Sequence, residues 1–116
     1  MAKTALIIQQ DLILLEVLER MILTHQYRCK AIRALDELDI EDQDENFDLI
    51  ISDILFDGIA PLDYVHQLQE IIRHKSLLII TSMGQKKVRQ EVLDIGNISG
   101  FFAVPLNFDK VEQMLS

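Results

Sequence analysis

Cysteine is nearly absent from this chain: Cys29 is the single thiol among 116 residues. One thiol forms no internal disulfide, and no Cys/His grouping has zinc spacing, so neither kind of cross-link holds the fold. Cys29 reads instead as a small packing residue. Long apolar runs are absent as well. No stretch approaches the ~18 residues of a membrane span, and Met1-Ala2-Lys3-Thr4 passes into strand-like residues without the apolar core of a secretory signal. The expected location is the cytoplasm. Basic charge is scarce, with eleven Lys and Arg against nineteen Asp and Glu, a formal charge of −8 and a pI near 4.7. The eleven are scattered, which opposes a nucleic-acid surface and leaves proteins or small ligands as partners. Finally, Gln9-Gln10-Asp11-Leu12, the turn after the first apolar run, has no Gly, Ser or Thr. Such a turn does not wrap a phosphate in backbone N–H groups.

What is present is enough apolar residue for one core. Hydrophobic residues make up 49% of the chain and the mean hydropathy is +0.17, so residues 1–116 read as a single domain. The runs Ala5–Ile8, Leu49–Ile51, Leu77–Ile80 and Phe101–Val104 are short and nearly free of polar residues, as in strands buried on both faces. Tyr27–Ala31 alternates with period two and reads as an edge strand. Helical periods lie between them. Leu14, Val17, Leu18 and Met21 form a first stripe, with Asp11 as N-cap and Glu16 paired to Arg20. Pro61 opens a helix with Val65, Leu68 and Ile72 on one face. Val88, Val92 and Ile95 form another stripe ending at Gly96, and Asn107 caps a last helix carrying Val111, Met114 and Leu115. A weaker helix is expected over Ala34–Leu38, followed by an acidic loop from Asp39 to Asn46. No internal repeat and no linker interrupts the series. Alternating β and α segments predict a parallel sheet with helices on both faces.

One carboxylate stands out. Asp48-Leu49-Ile50-Ile51-Ser52-Asp53-Ile54-Leu55 delivers Asp53 to the end of a buried strand, where open α/β sheets bind their ligands. Thr81 follows the fourth strand, and Val104-Pro105 follows the fifth. With these landmarks at the ends of three strands, the whole chain resembles a response-regulator receiver domain of two-component signalling. The resemblance implies a flavodoxin-like, doubly wound (βα)5 fold with a five-stranded parallel sheet of order 2-1-3-4-5. It also implies that Asp53 occupies the phosphoacceptor position.

The family holds Mg²⁺ with an acidic pair after the first strand together with the acceptor. This chain has Gln9 and Gln10 there. An amide oxygen brings no charge to a hard cation, so only weak Mg²⁺ binding is expected. Asp11 and Asp57 are substitute carboxylates by position, although helix capping and a turn before Gly58 explain them without a metal. The family's Lys after the fifth strand pairs with the phosphoryl oxygens, and Val104 in its place offers no such bond. Thr81 stands where a hydroxyl contacts the phosphoryl group, or is simply a β-branched strand end. Phe101 stands at the family's switch aromatic, with a core role the simpler account. Pro105 is expected to follow a cis peptide. His25, His66 and His74 have no partner at ligand spacing and are expected to face solvent.

Three readings follow. The resemblance and its departures favour a degenerate, non-enzymatic receiver without a cofactor. Its protein partners, a histidine kinase or a downstream signalling protein, would dock on the face of the fourth and fifth helices and the last strand, around Lys86, Lys87, Arg89, Phe101 and Lys110. A monomer or weak homodimer is expected. The alternatives are a conventional Mg²⁺-dependent acceptor at Asp53 and a small flavodoxin-like ligand-binding protein or enzyme.

Overall fold

The computed structural model describes residues 3–82 and 85–115. Met1 and Ala2, read as the lead into the first strand, lie outside them. In chain order the elements are β1 (Lys3–Ile8), α1 (Leu12–Thr24), β2 (Tyr27–Ile32), a 3₁₀ turn (Leu35–Glu37), α2 (Ile40–Asp44), β3 (Asn46–Ser52), α3 (Pro61–Ile71), β4 (Arg73–Thr81), α4 (Lys86–Ile95), β5 (Gly100–Ala103) and α5 (Phe108–Gln113). The five strands form one parallel sheet in the order β2-β1-β3-β4-β5, as expected.

Period-two alternation divides each apolar strand between two cores. Leu6, Ile8, Ile50, Leu77 and Ile79 pack against Tyr64, Val65 and Leu68 of α3 and Val92 of α4. Ala5, Ile7, Leu49, Ile51, Leu78 and Ile80 face the other way, onto Leu18, Met21 and Ile22 of α1 and onto Val111 and Leu115. Burial on both faces is why the stretches Ala5–Ile8, Leu49–Ile51 and Leu77–Ile80 carry no polar residues. β2, paired on one side only, is an edge strand, as is β5, and keeps the mixed pattern. Cys29 sits half-buried on it; burial, then the charge of Glu19, pushes its thiol up to about 12, which leaves it an inert packing group.

Local signals set the helix ends. Asp11 accepts bonds from the N–H of Ile13 (2.9 Å) and Leu14 (3.1 Å), Pro61 is the first residue of α3, Gly96 closes α4 with φ +91°, and Asn107 accepts from Lys110 N (3.3 Å).

Several expectations need correction. The helix after β2 is not Ala34–Leu38, which holds only the 3₁₀ turn, and the acidic segment is not a loop: it contains α2. Asp42 accepts the N–H of Asp39 (3.1 Å), and Lys30 of β2 pairs with both acids, which offsets the negative charge of the segment. In α1, Val17 is 39% exposed, while Ile22 is buried beside Leu18 and Met21. Met114 falls past the end of α5 and is exposed. β5 stops at Ala103, which leaves Val104 outside the sheet. His74 lies within β4, half-buried, and its Nδ1 donates to Ile72 O (2.8 Å). His66 is exposed, and His25 ends α1 as its C-cap.

Candidate functional site

Parallel strands bring their carboxyl ends to one edge, and the order 2-1-3 makes the junction of β1 and β3 the point where the chain reverses direction across the sheet. Open α/β sheets bind ligands at such a point. Asp53 and Gln9 both emerge there. The N–H of Asp53 donates to Ile8 O and that of Gln9 to Ile32 O, each at 3.0 Å, so both residues extend the ladder one step past the strands.

Asp53 is half-buried. Its Oδ1 accepts from the N–H of Ile54 (2.6 Å) and of Leu55 (3.1 Å), an arrangement that clamps one carboxylate oxygen. Beneath it lies a short relay that the sequence did not disclose. The Ser52 hydroxyl donates to the Asp53 carbonyl at 2.7 Å. Having one hydrogen, Ser52 must accept from the Tyr64 hydroxyl, 2.8 Å away. Tyr64 is 2% exposed and stacks on Phe56 with ring centroids 4.6 Å apart. Burial pushes its hydroxyl well above the ordinary tyrosine range, against the opposing bond with Ser52, so it remains a donor. The place of Tyr64 four residues before Leu68 on the buried face of α3 was the available signal.

The other predicted residues divide into two groups. Gln9, 3% exposed, turns its Oε1 onto the N–H of Asp11 (3.1 Å). Thr81 ends β4, fully buried, and its carbonyl accepts from Val104 N (2.9 Å). By contrast Gln10, Asp11 and Asp57 are exposed. The carbonyl of Gln10 receives the Arg33 guanidinium through Nε (3.3 Å) and Nη2 (3.1 Å), another feature missed from the sequence. Asp11 caps α1, and Asp57 precedes Gly58, whose φ of +84° defines the turn. Val104 is 41% exposed and its bond to Pro105 is cis. Phe101 is 8% exposed and packs in the core, so it adds nothing to the surface expected around it.

These residues are a poor set for Mg²⁺. Among the described residues no three His, Cys, Asp or Glu side chains gather to hold a metal. Asp53 supplies one carboxylate and Gln9 a neutral oxygen already engaged by a backbone N–H, whereas Mg²⁺ sheds water for charged oxygens.

No protein-family model and no curated protein matches the sequence. Solved structures do match. A response regulator from Thermotoga maritima aligns with TM-score 0.81 at 13% identity, over 99% of this chain and 95% of the other. A CheY-like receiver domain protein from Methanospirillum hungatei JF-1 aligns with TM-score 0.75 at 16% identity, over 99% and 94%. A response regulator from Burkholderia pseudomallei, solved with a phosphorylated aspartic acid, a calcium ion and citrate, aligns with TM-score 0.80 at 18% identity, over 98% of this chain and 66% of the other. The fold of this chain is that of the response-regulator receiver domains.

Proposed function

We propose that the chain is a signalling module of the receiver type, non-enzymatic and cytoplasmic, acting through protein partners with little or no phosphotransfer to Asp53. The observation that carries this reading is that, among the described residues, no three His, Cys, Asp or Glu side chains gather to hold a metal, while Gln9 is turned onto the Asp11 amide. Transfer of a phosphoryl group to Asp53 forms an Oδ–P bond and releases the donor's leaving group. Its transition state spreads negative charge that cations must offset. Here the acidic metal ligands are amides, Asp11 is occupied as a cap, and Val104 supplies no cation. Mg²⁺ affinity is accordingly low. Partner binding falls to the surface of α4, β5 and α5, where Lys86, Lys87, Arg89 and Lys110 are all exposed in an otherwise acidic protein. An acidic region of a histidine kinase or of a downstream signalling protein fits that charge.

The phosphorylated aspartate and calcium ion of the Burkholderia pseudomallei neighbour favour the second reading, a conventional acceptor at Asp53. Incubation with acetyl phosphate, with and without Mg²⁺, separates the two by intact mass. We expect no phosphoryl adduct above the level of Asp53→Asn, and partial gain of Mg²⁺ binding in Gln9→Asp/Gln10→Asp. Rapid Mg²⁺-dependent addition of one phosphoryl group, lost in Asp53→Asn, would overturn the degenerate reading. A coloured purified protein would instead favour a flavin-binding function.

A further inference from the structure

A cleft of about 680 Å³ opens at the end of the sheet remote from Asp53, where β3 and β4 begin and α3 and α4 end. That size is within the range of small-molecule sites. Its chemistry runs against the rest of the molecule. In a chain of net charge −8, the consecutive residues Arg73, His74 and Lys75 line it. Arg73 is exposed and its guanidinium has no ion pair or side-chain hydrogen bond with any described residue. Lys75 pairs with Asp48 at 3.2 Å, yet its side chain is 70% exposed, and an ammonium has three donors. His74 spends Nδ1–H on Ile72 O, so Nε2 is the nitrogen left for a ligand.

The opposite wall is held in place. Gln69 of α3 donates through Nε2 to Gly96 O at 3.0 Å, which ties α3 to the end of α4. Asn97 follows with φ +62°, and Ser99, which also lines the cleft, is held by its N–H donating to Leu77 O at 2.8 Å. Ile98, partly buried, adds an apolar surface between these polar groups. Cations near the carboxyl ends of two helices also complement the helix dipoles. That role accounts for the sign of the charge but not for an arginine, without a partner among the described residues, in the lining of a cavity much larger than a single ion.

We propose that this cleft binds a phosphorylated small molecule, its phosphate on Arg73 and Lys75 and its organic body along Ile98. A guanidinium fork and an ammonium suit the three oxygens of a phosphomonoester, and the volume leaves room for the rest of the molecule. The proposal is independent of chemistry at Asp53. Backbone amide NMR titration with adenosine monophosphate, inorganic phosphate and adenosine tests it. Adenosine monophosphate should give saturable shifts confined to residues 73–76 and 97–100, inorganic phosphate the same shifts more weakly, and adenosine none. Arg73→Ala, at an exposed position without a partner among the described residues, should weaken adenosine monophosphate about tenfold or more, with Arg73→Lys between it and the parent. Lys86→Ala/Lys87→Ala and Asp53→Asn should leave the affinity unchanged. Absence of saturable shifts with both phosphate probes, shifts centred elsewhere, or full affinity in Arg73→Ala would each overturn the proposal.

Discussion

Asp53 depends on two kinds of support, and they are separable. Its side chain is clamped by the N–H groups of Ile54 and Leu55, while its carbonyl is the terminus of the relay from Tyr64 through Ser52. Tyr64→Phe removes the donor and leaves the Ser52 oxygen buried with one bond fewer. We expect a loss of about 1 kcal/mol at neutral pH, measured by urea denaturation. The pH dependence has a definite sign. The Tyr64 hydroxyl is raised in the folded protein above the unfolded value of 10.0, so the unfolded chain releases its proton first. Stability therefore falls as pH rises above about 10, and Tyr64→Phe should show a flatter alkaline limb than the parent. Tyrosinate absorbance should find Tyr64 resisting titration until the fold is lost.

At the scale of elements, α1 is the most informative case because it is apolar on more than one side. Leu12, Ile13 and Leu23 are 59%, 77% and 52% exposed, while Leu18 and Ile22 are fully buried. Periodicity places Leu14, Val17, Leu18 and Met21 on one stripe, and packing on the sheet keeps Leu14, Leu18 and Met21, adds Ile22 and leaves Val17 out. Leu18→Ala should thus cost about 2–5 kcal/mol through lost burial and the cavity left behind. Ile13→Gln should change stability by less than about 0.5 kcal/mol. Equal losses in chemical denaturation would show that the exposed side is also packed. α2 illustrates a different limit. Its sequence, Ile40-Glu41-Asp42-Gln43-Asp44, is mostly acidic, and the cation that pairs with Asp42 and with Asp39 before the helix, Lys30, comes from β2.

Over the whole molecule, charge is distributed unevenly. The excess of acids repels most acidic partners, but Lys86, Lys87 and Arg89 gather at the start of α4 and Lys110 lies in α5. Steering by such a patch acts on association rate and is screened by salt. For a physiological partner of this face, reversing Lys86, Lys87 and Arg89 to Glu should slow association and flatten its salt dependence, whereas Asp53→Asn should leave affinity nearly unchanged. Surface plasmon resonance at several ionic strengths reads both. Loss of binding in Asp53→Asn with the fold retained would return the mechanism to phosphotransfer.

The sequence by itself determined the parallel βα alternation, the two-sided burial of the central strands, the caps at Asp11, Pro61, Gly96 and Asn107, and the arrival of Asp53 at a strand end. Each of these depends on residues a few positions apart, where side-chain period and backbone preference act directly. Only the tertiary structure decided that Ile22 of α1 is buried and Val17 exposed, that the acidic segment contains α2, that Gln9 turns onto Asp11 and Arg33 onto Gln10, and that Tyr64 stands under Asp53. It also joined Arg73 and Lys75 of β4 to Asn97 and Ser99 beyond α4, with Arg73-His74-Lys75 the only local hint. These relations join residues far apart in the chain or choose among equivalent local options. The packing of the sheet and helices makes that choice, and no short-range period encodes it.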